Sequence, residues 1–292
     1  MIDYVFPLYR PPAEANSVII QATYGCSHNG CTFCSMYKSK KYETRDIQEL
    51  YREIDILAAT HPDATKIFLA DGDALSLNNE YLIQLLSYLN KAFVRLRRVS
   101  VYATAQNLLQ KSEEELLQLQ RHKLKLLYFG IETGNENLLK KINKGVNADQ
   151  IIKALNKASN TDIKTSVTVI LGLGGDEYTK EHIQDTAKLI NQTRLTYLST
   201  LQLGLDNDVK ERFYKGFENF TMLNDAQVLQ EQERLLSLLN PLNKIIFRSN
   251  HASNALHLSG TLPKDKNRLL QELKTALKMG ESAFVPPSLR GF

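Results

Sequence analysis

The sequence lacks any apolar run approaching the roughly 20 residues that a membrane span requires. Its N-terminus, Met1-Ile-Asp-Tyr4, also lacks the basic head and apolar stretch of a secretory signal. The formal net charge of +4 is mild for 292 residues and gives no clear sign of a nucleic-acid partner. We therefore expect a cytoplasmic protein without a membrane partner.

Cysteine is scarce, and its placement is informative. The chain has three cysteines, Cys26, Cys31 and Cys34, all within one short segment. An odd, clustered set in a chain without an export signal argues against a disulfide framework. The spacing favours metal or redox chemistry in this segment.

Segments typical of strands alternate with segments typical of helices. Strands are predicted over residues 17–23, 66–70, 99–103, 124–130, 164–171 and 197–203, and helices over 44–59, 80–91, 112–121, 135–142, 148–159 and 179–192. Strands separated by helices of this length indicate βαβ units and a parallel sheet. We therefore predict an α/β fold, a partial (βα)6 TIM-like barrel with its active groups at the carboxyl ends of the strands.

The order loosens after about Gly204. A helix is predicted over 224–239, a strand over 244–248 and a last helix over 264–278. The prediction is an N-terminal extension over 1–16, the partial barrel over 17–205, and a C-terminal α+β extension over 206–292 that closes the barrel.

Four interpretations of the cysteine segment can be compared. A zinc site could use His28 with the three thiolates, since Cys3His is a known zinc ligand set. A plant-type 2Fe–2S cluster would need a fourth cysteine, which the chain lacks. Inert buried cysteines would not explain the clustering. A 4Fe–4S cluster held by three thiolates would keep one iron open, as catalytic metal sites do.

The segment Cys26-Ser-His-Asn-Gly-Cys31-Thr-Phe-Cys34-Ser-Met-Tyr37 resembles the signature of the radical S-adenosylmethionine superfamily. It departs from that signature by having four residues, instead of three, between its first two cysteines. The resemblance implies that Phe33 packs beside the cofactor and that Met36 and Tyr37 lie near the adenine. Ordinary core packing is the alternative for Phe33.

Further segments match the superfamily in chain order. Asp71-Gly72-Asp73 stands where the family binds the methionyl ammonium, with an Asp-Gly turn as the alternative. The segment Phe129–Gly134 resembles a strand end of one branch of the superfamily, which contains oxygen-independent coproporphyrinogen oxidases, MiaB-type methylthiotransferases and Elongator-type subunits. In this resemblance Glu132 would reach the ribose. The segment around Gly172 resembles a strand end whose backbone contacts adenine in that branch. Gly174 and Asp176 stand there in place of the branch's proline and glutamate. Thr104, after the third strand, is a further candidate for cofactor binding.

The resemblance implies an oxygen-sensitive enzyme with a 4Fe–4S cluster on Cys26, Cys31 and Cys34. One electron, from a flavodoxin- or ferredoxin-type donor, would cleave S-adenosylmethionine to methionine and a 5′-deoxyadenosyl radical. That radical would abstract hydrogen from a substrate that the sequence does not identify. The alternative function is a zinc-stabilised, non-catalytic binding protein.

Candidate substrate residues follow the predicted strand 244–248. Arg248, Asn250, His251 and Asn254 are concentrated in one polar loop, and we interpret this loop as part of the barrel mouth together with Tyr102. The alternative is a turn that satisfies its own backbone groups.

Overall fold

The structure is a computed structural model that describes residues 2–291. The strands are β1 (Val18–Gln21), β2 (Thr23–Tyr24), β3 (Glu43–Thr44), β4 (Lys66–Ala70), β5 (Arg98–Ala103), β6 (Leu124–Glu132), β7 (Lys164–Leu171), β8 (Tyr197–Gln202), β9 (Ile245–Ser249) and β10 (Leu258–Leu262). The helices are α1 (Ile47–Thr60), α2 (Asn79–Ala92), α3 (Ala105–Gln110), α4 (Glu113–Arg121), α5 (Glu136–Lys141), α6 (Ala148–Asn160), α7 (Gly175–Asn191), α8 (Asn207–Tyr214), α9 (Asp225–Leu238) and α10 (Lys266–Met279).

The described chain forms two compact units. Unit 1 takes the chain up to Asn29, then Met36–Phe129 and Lys157–Thr165. Unit 2 takes Gly30–Ser35, Gly130–Asn156 and the chain from Ser166 onward. The boundaries 1–16, 17–205 and 206–292 follow a different criterion, the extent of the resemblance, and stay predictions.

Unit 1 is built on parallel strands in the order β1, β4, β5, β6. Phe68 of β4 and Val101 of β5 are buried, as expected for strands covered on both faces. The connecting helices begin at side-chain caps: Asp46 accepts from two backbone amides of α1, and Ser112 forms a capping box with Glu115 at α4. These caps fix where α1 and α4 begin.

Unit 2 pairs β7, β8 and β9 in parallel, and β10 returns antiparallel to β9. Helix α9 packs against α7 and α10. The buried face of α9 carries Val228, Leu229 and Leu235, which recur at helical spacing. Two polar residues, Glu231 and Gln232, lie on this same buried face.

The six predicted strands of the alternating region are present as β1 and β4 to β8. Several boundaries differ from the prediction: β6 continues to Glu132, α7 begins at Gly175 instead of Thr179, and α1 begins at Ile47 instead of residue 44. The prediction missed α3, α8 and β10, and the short strands β2 and β3. Within residues 2–291, the structure has no helix with both the length and the apolar character that crossing a membrane demands.

Candidate functional site

The turn after β4 begins with Asp71, which is fully buried in unit 1. Its Oδ2 atom accepts from Lys40 Nζ at 2.7 Å, from the backbone amide of Gly25 at 3.1 Å and from Gln21 at 3.2 Å. Burial raises the pKa of this carboxyl, although the hydrogen bond from Lys40 opposes the rise. Asp71 therefore ties the turn to the start of the cysteine segment.

Asp73 closes the same turn and is also fully buried. Its Oδ2 atom accepts from the Ser27 hydroxyl, and Asn107 donates a further hydrogen bond to the carboxyl. Its Oδ1 atom is buried and has no hydrogen-bond partner among the described residues. Burial raises the pKa of Asp73 to about 6. A buried carboxylate oxygen with unused acceptor capacity fits a cationic donor such as an ammonium group.

Gly72 lies between the two acids in a crowded position. A Cβ atom there would come within 2.6 and 2.7 Å of the Tyr37 ring and 3.1 Å of Cys26 Cβ. The Gly72 amide donates to the Gly25 carbonyl at 3.0 Å. Tyr37 is itself buried and meets the Tyr9 ring edge-on, with centroids 5.6 Å apart. The turn, the Tyr37 ring and Cys26 thus pack as one group, which the sequence-based assignment of Gly72 and Tyr37 did not specify.

The residues after β5 have a different arrangement. Thr104 caps α3, where it forms a capping box with Asn107. Asn107 is the residue that bonds Asp73, and the prediction missed it, although a Thr-x-x-Asn pair before a helix was a readable signal. Tyr102 meets the Phe68 ring edge-on at 5.1 Å. The role of Thr104 in cofactor binding and the catalytic role of Tyr102 therefore stay predictions. Met36, another predicted cofactor residue, is half-buried in unit 1.

The second half of the cysteine segment, residues 30–35, is held within unit 2. The Thr32 amide donates to the Ile142 carbonyl at 2.9 Å, and Asn143 Nδ2 donates to the Gly30 carbonyl at 3.1 Å. On another side, Arg212 of α8 donates to the Cys31 carbonyl at 2.5 Å. Two separate segments therefore fix the backbone around Cys31.

Ser35 and Phe33 add to this anchoring. The Ser35 hydroxyl donates to Asp206, the residue before α8. The Phe33 ring packs against a buried apolar cluster made of Leu138, Ile142, Ile170, Leu173, Leu203, Phe213 and Phe217. This placement agrees with the core-packing alternative for Phe33.

Glu132, the last residue of β6, is buried and has a positive φ of 58°. Its Oε1 atom accepts from Lys144 Nζ at 2.8 Å. Burial alone would lower the pKa of Lys144, but Glu132 together with the sulfur atoms of Cys31 and Cys34 raises it. An ammonium group therefore lies in the electrostatic field of two of the three cysteines.

Gly172 follows β7 with a φ of 79°, a left-handed conformation that glycine adopts without strain. Its amide donates to Glu231 Oε2 at 2.6 Å, and the Thr179 hydroxyl donates to Glu231 Oε1 at 2.7 Å. Asp176, which takes the place of the family's glutamate, is exposed. The prediction missed Glu231; the signal was a carboxylate in the apolar phase of α9.

A cavity of about 240 Å³ opens beside this turn. Its residues come from the ends of β7 and β8, the segment after β8, and α9. They are Leu171, Gly172, Gln202, Leu203, Gly204, Leu205, Asp206, Lys210, Met222, Leu223 and Val228. The Oε1 atom of Gln202 is buried and has no hydrogen-bond partner in the described part of the chain. A mostly apolar cavity with a few polar groups at strand ends is typical of a small-molecule site.

The polar loop after β9 has contacts both within itself and with β8. Asn254 Oδ1 accepts from the backbone amide of Gln202 at 2.8 Å, and Asn254 Nδ2 donates to the Thr200 carbonyl at 2.8 Å. His251 Nδ1 bonds the Ser253 hydroxyl at 2.8 Å, and burial lowers the pKa of His251. Arg248 is exposed and bonds the carbonyl of its neighbour Phe247. These contacts agree with the turn alternative, and the substrate roles of His251 and Arg248 stay predictions.

The donor set of the cysteine segment fits an iron–sulfur cluster. Thiolates are the preferred ligands of such clusters, and three of them leave one iron for another ligand. Within residues 2–291, no three His, Cys, Asp or Glu side chains converge on a point that could hold one metal ion. Cluster cysteines bind different iron atoms, so this finding concerns mononuclear sites alone.

Comparison with known proteins assigns the family. The model of the radical SAM superfamily matches residues 20–190, more than half of the chain. The chain therefore belongs to the radical SAM superfamily. It is an enzyme, and its cofactors are those of the superfamily, a 4Fe–4S cluster and S-adenosylmethionine. The zinc alternative is not favoured.

Two curated relatives share part of their length with this chain. A provisionally named methylthiotransferase of Methanocaldococcus jannaschii is 26% identical over 184 residues, 58% of this chain and 39% of that protein. The bacteriochlorophyllide d C-12(1)-methyltransferase of Chlorobaculum tepidum is 28% identical over 200 residues, 67% of this chain and 42% of that protein. The chain thus spans less than half the length of either.

A solved structure shares the fold. Coproporphyrinogen III oxidase from Escherichia coli superimposes with a TM-score of 0.58 and 17% identity, covering 76% of this chain and 52% of that one. The predicted α/β fold, a partial barrel of the radical SAM type, is confirmed.

Proposed function

We propose that this protein cleaves S-adenosylmethionine reductively at a 4Fe–4S cluster held by Cys26, Cys31 and Cys34, and uses the product to remove hydrogen from a substrate. Superfamily membership supports the general reaction. The observation that carries the assignment to these residues is the unpartnered Oδ1 atom of buried Asp73, next to the glycine that packs against Cys26. When bound, the cluster supplies the electron that breaks a C–S bond of S-adenosylmethionine to give methionine and a 5′-deoxyadenosyl radical.

The residues of unit 1 would orient the methionyl end. Asp73 Oδ1 would accept from the methionyl ammonium, a charge-assisted hydrogen bond in a buried position. The Ser27 hydroxyl holds the other carboxylate oxygen, and Asn107 donates a further hydrogen bond to the carboxyl, so its orientation is fixed before the ligand arrives. Asp71 Oδ1 is also buried without a hydrogen-bond partner among the described residues, so Asp71 would offer the ammonium a second acceptor while its Oδ2 atom holds Lys40.

The resemblance to the superfamily assigns Gly172 and Glu132 to the nucleoside end. The cavity beside Gly172 is lined largely by apolar residues, which suits a planar base. The unpartnered Oε1 of Gln202 would accept from the exocyclic amine of adenine. Glu132 would accept from ribose hydroxyls while its Oε1 atom holds Lys144.

The flavodoxin- or ferredoxin-type electron donor and the cytoplasmic location remain part of this proposal.

The test is anaerobic reconstitution with iron and sulfide, followed by incubation with S-adenosylmethionine and dithionite. We expect about four iron atoms per chain and formation of 5′-deoxyadenosine. The matched control replaces all three cysteines by serine, which leaves no thiol in the chain. Zinc without iron in the anaerobically purified protein, or 5′-deoxyadenosine formation by the cysteine-free variant, would contradict the proposal.

A further inference from the structure

One short segment, residues 142–144, is hydrogen-bonded to the cysteine segment. Ile142 accepts from the Thr32 amide, and Asn143 donates to the Gly30 carbonyl. The next residue, Lys144, is half-buried and forms a 2.8 Å ion pair with Glu132. Three consecutive residues thus bind, in turn, the segment's backbone and a buried carboxylate.

Two of the cysteines lie within electrostatic range of the ion pair. The ammonium of Lys144 has the sulfur atoms of Cys31 and Cys34 among its electrostatic neighbours. Because Lys144 is 16% exposed and Glu132 is 10% exposed, solvent screens the pair only partly. A positive charge in this position lowers the energy of negative charge on the thiolates and on iron bound to them.

We propose that Lys144 is a positioning and tuning residue that raises the reduction potential of the cluster, and that Glu132 holds Lys144 in place and partly offsets its charge. The inference rests on the proposed function, because it needs a cluster on Cys31 and Cys34. It assigns Glu132 a role that is independent of any contact with the ribose. The resident cluster takes up one electron from an external reductant, and Lys144 makes that uptake more favourable.

Opposite changes in charge give opposite shifts. Lys144→Gln removes the positive charge and shifts the cluster potential to more negative values. We expect roughly tenfold less reduced cluster at a fixed applied potential, equivalent to about 59 mV for a one-electron couple. Glu132→Gln removes the offsetting carboxylate and shifts the potential in the positive direction. Lys144→Arg keeps the charge and stays close to the unmodified protein.

The experiment is a dithionite titration of the reconstituted protein without S-adenosylmethionine, followed by the electron paramagnetic resonance signal of the reduced cluster. Lys140→Gln is the matched control, since Lys140 is an exposed lysine near the end of α5, four residues before Lys144. Leaving out S-adenosylmethionine keeps any ribose contact of Glu132 out of the readout. Iron content is measured on each sample.

The outcomes separate the two proposals. Unmodified protein that binds no cluster overturns both. A loaded Lys144→Gln variant whose potential equals that of Lys140→Gln overturns the tuning role alone. If Lys144→Gln fails to hold iron, Glu132→Gln decides: a positive shift supports the inference, and an unchanged or negative shift overturns it.

Discussion

The backbone amide of Gly172 donates a 2.6 Å hydrogen bond to the carboxyl group of Glu231, 59 residues further along the chain. The second oxygen of that carboxyl accepts from Thr179 of α7. One buried side chain of α9 therefore fixes both the left-handed turn after β7 and the first half of the next helix. This relationship makes the turn beside the cavity depend on a distant helix.

The ionisation of Glu231 should make stability depend on pH. Burial raises the pKa of Glu231 to about 7, from an ordinary value of 4.5. The folded state then binds more protons than the unfolded state between these values, so stability falls as pH rises through this range. The loss is about 1.4 kcal/mol for each unit of pKa difference, up to about 3 kcal/mol by pH 8.

Glu231→Gln tests this dependence. Its amide keeps an acceptor for the Gly172 amide and offers a donor to Thr179, without an ionisable group. Denaturant unfolding between pH 5 and 8 should give a flatter profile than in the unmodified protein and higher stability at pH 8. Half-buried Glu233, two residues along α9 and paired with Lys274, gives the matched control Glu233→Gln, which should keep the slope. Equal slopes for the unmodified protein and Glu231→Gln would refute the assignment.

The sequence was sufficient for the strands because burial on both faces leaves runs such as Lys66–Ala70 with few polar positions. The cysteine segment could be located from spacing alone. Glu231 could not be assigned, since its role depends on α9 packing beside a turn from another part of the chain. The Lys144–Glu132 pair was also hidden, because Glu132 continues β6 and turns through a positive φ. Local patterns give elements, whereas long-range contacts decide which polar residues meet.

Gly72 should not tolerate a side chain. In Gly72→Ala the new Cβ would lie 2.6 Å from the Tyr37 ring, and the buried ring has to move. Overpacking of this kind costs typically about 1–3 kcal/mol. Displacing Tyr37 also disturbs the group that contains Cys26, so we expect lower iron content after reconstitution, measured together with thermal unfolding.

Gly291→Ala serves as the control for that change. The same methyl group there has its nearest atom, Ala252 Cβ, at 3.7 Å, which is ordinary contact. It should retain full iron loading. Normal loading and stability in Gly72→Ala would show that the Tyr37 ring adjusts freely.

The affinity for S-adenosylmethionine should change with the ionisation of Asp73. Burial raises the pKa of Asp73 to about 6, from an ordinary value of 3.8. A protonated carboxyl cannot accept from an ammonium as a carboxylate does, so affinity should fall about tenfold per pH unit below 6. Anaerobic calorimetry between pH 5 and 8 measures this dependence.

Asp73→Asn separates Asp73 from other groups that titrate in the same range. His28 lies in the electrostatic surroundings of Asp73 and, when protonated, favours its ionised form. The asparagine variant should bind S-adenosylmethionine weakly and with little dependence on pH. A variant that keeps the slope of the unmodified protein would assign the titration to His28 or another group.

Arg290 should contribute far more stability than a typical surface arginine. Its guanidinium donates two 2.7 Å hydrogen bonds to Asp225, which also accepts from Gln202 at the cavity wall. The Arg290 side chain is 6% exposed and that of Asp225 is 25% exposed, so Arg290→Gln removes a bidentate, largely buried pair and should cost about 2 kcal/mol. Arg268→Gln, which breaks an exposed pair with Glu272, should change stability by less than about 1 kcal/mol.

The stability difference between Arg290→Gln and the unmodified protein should depend on pH through the ionisation of Asp225. The hydrogen bonds from Arg290 hold the pKa of Asp225 in the folded protein below its ordinary value. The stability contributed by the Arg290–Asp225 pair is therefore fully present above the ordinary pKa, and it is lost as the pH falls through the lower pKa of the folded state. Unfolding curves for Arg290→Gln and the unmodified protein should therefore converge in acid, while the Arg268→Gln difference stays small throughout. Equal destabilisation by the two arginine variants at pH 7 would mean that the bidentate pair adds nothing beyond a surface contact. In that case the C-terminal residues would not be needed to fix Asp225 and, through it, Gln202.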